Sequence, residues 1–304
     1  MRRLGALAVV VLIGYALVRA VGSLLGGGDS VAEGEPPSSL PEATDEAGAA
    51  AGSGEPAGTT DASAATTSST TTEPAPEDTG PPSAANPAKV YIVGDSDAGT
   101  FGPYLQTLLD NTGIVETELN YKVSSGLSRP DFFDWPAEFE RTLPEVDPDV
   151  VVATFGGNDA QGLAVGSGEF IIGDPVDNEA EWKQEYTARA GAVMDQMLEG
   201  GRTVIWVGIP NDDNPEVTAR MAIQDEAARA AAAERDGVVF IDTWKRFSGR
   251  DGNWAEFVID PRDGEGKDVR ADDGFHLNQD GAEILAIDIA QAVRDALRDL
   301  GADI

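Results

Sequence analysis

The chain has 304 residues, 54 acidic against 21 basic, one histidine and no cysteine, for a formal charge of −33. Without cysteine there is no disulfide, no cysteine-ligated zinc or iron–sulfur cluster and no thiol nucleophile. One histidine excludes paired-histidine metal motifs, and the charge argues against nucleic acid, which needs clustered Lys and Arg.

Residues 1–25 read as a membrane or export signal. Arg2 and Arg3 precede an apolar run from Leu4 to Val18, interrupted by Arg19 and resumed from Ala20 to Leu25. The uncharged core of 15 residues suits a signal peptide, and the whole stretch of 22 suits a bilayer span with Arg19 near its outer face. Two localisations follow: a single-pass anchor holding the rest of the chain outside the cytoplasm, or secretion after cleavage. Residues 26–87 contain Pro, Ser, Thr, Ala, Gly and eleven acids without one base, the composition of a disordered, self-repelling linker.

Composition changes at Lys89. The N-terminal segment carries +3 and the linker −11, which leaves −25 for residues 88–304. Such a surface favours solubility and disfavours polyanionic substrates. Short apolar strands are expected at 89–94, 118–123, 149–155, 202–208 and 237–242. Helical spacing appears at about 100–111, 136–143, 179–199, 215–235 and 278–299. Continuous apolar strands alternating with helices imply an α/β domain with a parallel sheet covered on both faces. Residues 162–178 read as an insertion with a hairpin. Residues 260–268 are rich in Asp and Gly but lack EF-hand spacing, and read as a solvated loop rather than a Ca²⁺ site.

In such sheets, functional groups gather at the carboxyl ends of strands. Four blocks occur there or just before the last helix: Gly94-Asp95-Ser96-Asp97, Ser124-Ser125-Gly126, Gly156-Gly157-Asn158-Asp159 and Asp273-Gly274-Phe275-His276. Each alone is also an ordinary cap or turn. A Ser at a strand-to-helix turn exposes its hydroxyl beside a helix N-terminus, where negative charge is favoured. An Asp three residues before a His can accept from Nδ1–H and leave Nε2 free as a base.

Taken together and in this order, the blocks resemble the SGNH (GDSL-type) hydrolase superfamily, over essentially residues 88–300. Within it the chain looks most like a group of exported bacterial envelope proteins. The resemblance implies a flavodoxin-like three-layer α/β/α sandwich with a central five-stranded parallel sheet. It matches Ser96 to the nucleophile, His276 to the general base and Asp273 to the residue that orients it. It matches the N–H groups of Ser96 and Gly126 and the side chain of Asn158 to an oxyanion hole. The implied reaction is ester hydrolysis through an acyl-serine, without metal or cofactor, on an ester-bearing envelope glycan or lipid. Acyl transfer to an envelope glycan would use the same site. A non-catalytic glycan-binding or scaffold role is the reading of another class.

Asp97 departs from the family pattern, which has Leu after the nucleophile. A carboxylate there opposes a developing oxyanion and is the best support for the non-catalytic reading. Asp95 is expected to hold the turn by hydrogen bonds. Asp272 adjoins Asp273, and spacing favours Asp273 as the partner of His276. Arg129 is a candidate substrate contact or a surface ion pair. Trp135 and Trp206 are candidates for a sugar subsite, with Trp206 better placed in the core. Oligomeric state and the identity of the acyl group have no signature in the chain.

Overall fold

The computed structural model describes residues 80–304. The expected signal segment and all but the last eight residues of the expected linker lie outside them. Those eight form a turn in which Ser83 and Asn86 pair across an antiparallel bridge. Among the described residues no helix is long and apolar enough to cross a membrane.

The elements run β1 (Ala88–Gly94), α1 (Ser96–Asp110), β2 (Val115–Tyr121), α2 (Trp135–Val146), β3 (Val150–Thr154), β4 (Leu163–Ala164), β5 (Phe170–Ile172) and α3 (Glu179–Leu198). After these come β6 (Thr203–Val207), α4 (Pro215–Ala233), β7 (Val238–Ile241), α5 (Thr243–Arg246), β8 (Phe257–Ile259), β9 (Gly266–Asp268) and α6 (Gln279–Asp299). Five strands form one parallel sheet in the order β2-β1-β3-β6-β7. The remaining four pair as two small antiparallel hairpins, β4–β5 and β8–β9.

Strand alternation divides the core into two layers. Val90 and Ile92 of β1, Val150 and Val152 of β3, and Ile205 and Val207 of β6 face α1 and α6, meeting Phe101, Leu105, Ile289 and Val293. Their neighbours Tyr91, Val93, Val151, Ala153, Val204 and Trp206 face α2, α3 and α4, meeting Phe139, Trp182, Met194 and Ala227. The result is a three-layer α/β/α fold with a central five-stranded parallel sheet, as expected. The chain leaves β1 for β2 on one side, then returns to β3 on the other. The strand order therefore reverses between β1 and β3, and a crevice opens at their carboxyl ends.

Differences from the sequence expectations have local causes. The second strand lies at Val115–Tyr121, three residues earlier than expected at its start; it is an edge strand whose only fully buried residue is Val115. The first helix starts at Ser96, four residues before the apolar spacing begins, because Asp95 caps it there. The 162–178 insertion does carry a hairpin. The acidic loop after Ile259 is the turn of the β8–β9 hairpin. There Arg262 donates to Asp260 at 2.7 Å and to Glu283 at 2.7 Å, so a guanidinium stands where a cation would.

Candidate active site

The first block forms at the crevice. Gly94 has φ +150, and a Cβ there would overlap the carbonyl of Thr154, so β1 and β3 approach this closely only with glycine. Asp95 follows, fully buried. Its Oδ1 accepts from the N–H of Asp97 at 3.0 Å, and its Oδ2 accepts from the N–H groups of Gly156 and Gly157, both at 3.1 Å. One carboxylate thus caps α1 and fastens the third block to the first. Ser96 is the first residue of α1, where the N–H lacks an intrahelical partner and faces outward at the positive end of the helix.

The fourth block reaches this serine from the opposite end of the sequence. Ser96 Oγ lies 2.9 Å from His276 Nε2, and His276 Nδ1 lies 2.6 Å from Asp273 Oδ2. The other oxygen of Asp273 accepts from the N–H groups of Phe275 and His276 at 3.1 and 3.0 Å. Asp273, not Asp272, is therefore the partner. With Nδ1–H donating to Asp273, Nε2 accepts from the serine hydroxyl. Partial burial would raise the pKa of Asp273, but the ring hydrogen bond and the two N–H donors hold it below the usual carboxylate range. The His276 and Asp273 side chains are 32% and 51% exposed, so the group stands at the surface.

A buried arginine anchors this loop. Arg270 donates to the carbonyls of Phe275, Asn211, Phe247 and Ala255 and to Asn211 Oδ1. All five acceptors are neutral. Burial pulls its pKa down to about 10, against the opposing charges of Asp212, Asp97, Asp213 and Asp273. Trp254 Nε1 donates to the carbonyl of Gly274 at 2.7 Å, a second tie on the same loop.

The second and third blocks meet through Asp159. This buried carboxylate accepts from the N–H of Leu127 at 2.8 Å, the N–H of Ser128 at 2.9 Å and the hydroxyl of Tyr186 at 2.6 Å. It packs so tightly under Gly126 that a Cβ there would overlap it. The N–H of Gly126 has no backbone acceptor within the described residues. Asn158 donates one Nδ2 proton to the carbonyl of Ser125 at 3.3 Å, which orients the amide and leaves its second proton unspent. Gly157 packs against the ring of Phe275 and near Asp97 Oδ2, which closes the ring of four blocks. Asp159→Ala leaves three buried donors unpaired, and is expected to lower stability by roughly 3 kcal/mol or more. Urea unfolding of the variant against the parent protein checks this.

Other candidates fall elsewhere. Arg129 donates to both oxygens of Asp131 at 2.8 and 2.7 Å and lies 5.0 Å over the ring of Phe170. Its charge is met within the loop, and the cation ties that loop to the β4–β5 hairpin. Trp135 is fully buried against Phe133, Phe139 and Phe155, with Nε1 donating to Ser125 Oγ at 2.9 Å. Trp206 is fully buried in β6. Asp97 is buried as well, and no hydrogen bond reaches its Oδ2. Burial first, and the charge of Asp273 second, push its pKa up to about 7 against the pull of Arg270.

Sequence reasoning did not single out Asp159 or Arg270 as supports. Asp159 carried a signal, because it follows Asn158 directly inside a block already chosen. Arg270 carried none: its five acceptors are spread over residues 211 to 275.

No curated protein matches the chain in sequence. Among solved structures, it is similar to an alpha/beta hydrolase enzyme from the metagenome of Lake Arreo, Spain (17% identity, 71% of this chain and 98% of that one, TM-score 0.45). It is also similar to a carbohydrate esterase family 3 protein from Talaromyces cellulolyticus (14%, 70% and 99%, TM-score 0.47). A third is an acetylxylan esterase from Geobacillus stearothermophilus (16%, 72% and 96%, TM-score 0.44). A family model described as "Protein of unknown function (DUF459)" matches residues 89–292. The chain belongs to that family, whose match spans the three-layer fold and all four convergent blocks.

Proposed function

We propose that the domain is a serine esterase that removes a short acyl group, such as acetyl, from a cell-envelope substrate. The observation that carries this reading is the continuous chain from Ser96 Oγ through His276 to Asp273, at 2.9 and 2.6 Å. Ser96 Oγ attacks the ester carbonyl while His276 Nε2 takes its proton. The oxyanion is met by the N–H groups of Ser96 and Gly126 and by the free Nδ2 proton of Asn158. Collapse breaks the bond to the alcohol, which leaves with the proton from His276. Water, deprotonated by the same nitrogen, then cleaves the acyl-serine and releases the acid.

The exposure of His276 and Asp273 supports a small acyl group on a large carrier, because the reacting centre lies where a bulky alcohol can approach. The acidic surface supports a neutral or weakly charged carrier such as a glycan. An N-terminal anchor followed by an extended linker would let the domain reach along the envelope. The test is turnover of p-nitrophenyl acetate and butyrate by the purified protein, with acetate favoured. No turnover of either by folded protein contradicts the reading. Asn158→Ala is expected to lower kcat by roughly 10²–10³-fold with little change in KM, the loss seen when one oxyanion donor is deleted. Steady-state kinetics on the acetate ester checks it.

A further inference from the structure

Behind the candidate nucleophile, on the sheet face covered by α1 and α6, lies a small cavity. Its walls include Asp97, Phe101, Thr154, Val207, Thr243 and Leu285, and it leaves about 10 Å³ in which the centre of a water molecule can sit. That is about the space one water requires. Three of these residues each end in a buried oxygen with no partner in the protein: Asp97 Oδ2, Thr154 Oγ1 and Thr243 Oγ1. They belong to three separate elements, the start of α1, the end of β3 and the start of α5. Thr154 follows Val150 and Val152 at strand spacing, so its side chain turns to the same layer. Asp97 stands one helical turn before Phe101, which belongs to that layer too.

Each unpaired buried oxygen destabilises the fold by about the desolvation of a lost hydrogen bond. One small occupant that pairs all three removes these costs together. We infer that a single structural water belongs in this cavity. It donates to Asp97 Oδ2 and to one threonine hydroxyl, and accepts from the other. Three hydrogen bonds is the usual number for a buried water. One carboxylate and two hydroxyls in otherwise apolar walls are too few oxygens for a hard metal ion. The water gives the carboxyl beside Ser96 a fixed partner inside the fold. The inference is independent of esterase activity, since it rests on packing alone.

A crystal structure of the protein that resolves ordered solvent tests it. The expected result is one well-ordered water within hydrogen-bond reach of all three oxygens. An empty cavity, or a metal ion with shorter contacts and additional ligands, overturns the inference. Thr154→Val and Thr243→Val, singly and together, provide a measurement in solution. A shared water makes each substitution raise the unfolding constant by about 5-fold, and the double variant less than the product of the two. Substitutions that leave stability unchanged or increase it, with independent effects, show that the oxygens were unpaired and overturn the inference as well.

Discussion

Ser96→Ala lowers kcat/KM on acetyl esters by roughly 10⁴-fold or more while the protein keeps its fold, and His276→Ala does nearly the same. The two residues act on one proton. The 2.9 Å contact from Ser96 Oγ to His276 Nε2 is the path it takes, and the chain contains no second imidazole to substitute. Their effects are therefore non-additive, and the double variant is expected to be no worse than either single one. Asp273→Ala is expected to cost less, because this carboxylate is 51% exposed and solvent takes over part of its role at Nδ1. Kinetics on all four variants, with circular dichroism to confirm folding, checks the order. A double variant much slower than both single ones would separate Ser96 from His276.

The second large effect concerns Asp97 and depends on pH. Its pKa is pushed up to about 7 in the folded protein, by burial and then by Asp273, whereas an unfolded aspartate titrates near 3.9. Between those values the folded state holds a proton that the unfolded chain has lost. The contribution of Asp97 to stability therefore falls as pH rises from about 4 to 7, and levels off above that. Asp97→Asn removes the titration. Its stability relative to the parent protein is expected to rise by roughly 3 kcal/mol between pH 4.5 and pH 8. Urea unfolding at both values measures this, and a difference that does not change with pH would show that Asp97 is not the proton holder. Burial, and then the charge of Asp97, hold the Asp95 carboxyl well above the usual range too, against the backbone N–H groups that meet its oxygens.

Of the five parallel strands, β1, β3 and β6 were legible as buried apolar stretches between helical patterns, and β7 as a continuous apolar run, Val238–Ile241, although it is an edge strand without a fully buried residue. The second was displaced because an edge strand with one buried residue has little apolar signal to mark its ends. The four blocks were legible in order, and the structure brings their residues together around the β1–β3 crevice. What holds them there was not legible. Asp159 looks like a turn residue in sequence, yet its work is to pin Leu127, Ser128 and Tyr186, from 27 to 32 positions away. The burial of Trp135 was not legible for a related reason. An aromatic residue after a candidate site loop looks the same in sequence whether it lines a sugar subsite or fills the floor beneath Ser125. Asp97 broke the family pattern visibly, but only burial and the neighbouring Asp273 define its charge state.

Reaction of the full protein with a fluorophosphonate probe, followed by mass spectrometry of the labelled peptide, tests the central claim most directly. The expected result is one stoichiometric adduct on Ser96, absent in Ser96→Ala and strongly slowed in His276→Ala. A folded protein that takes up no probe, labels at another residue, or labels Ser96 equally fast without His276 would contradict the assignment of Ser96 as a nucleophile activated by His276.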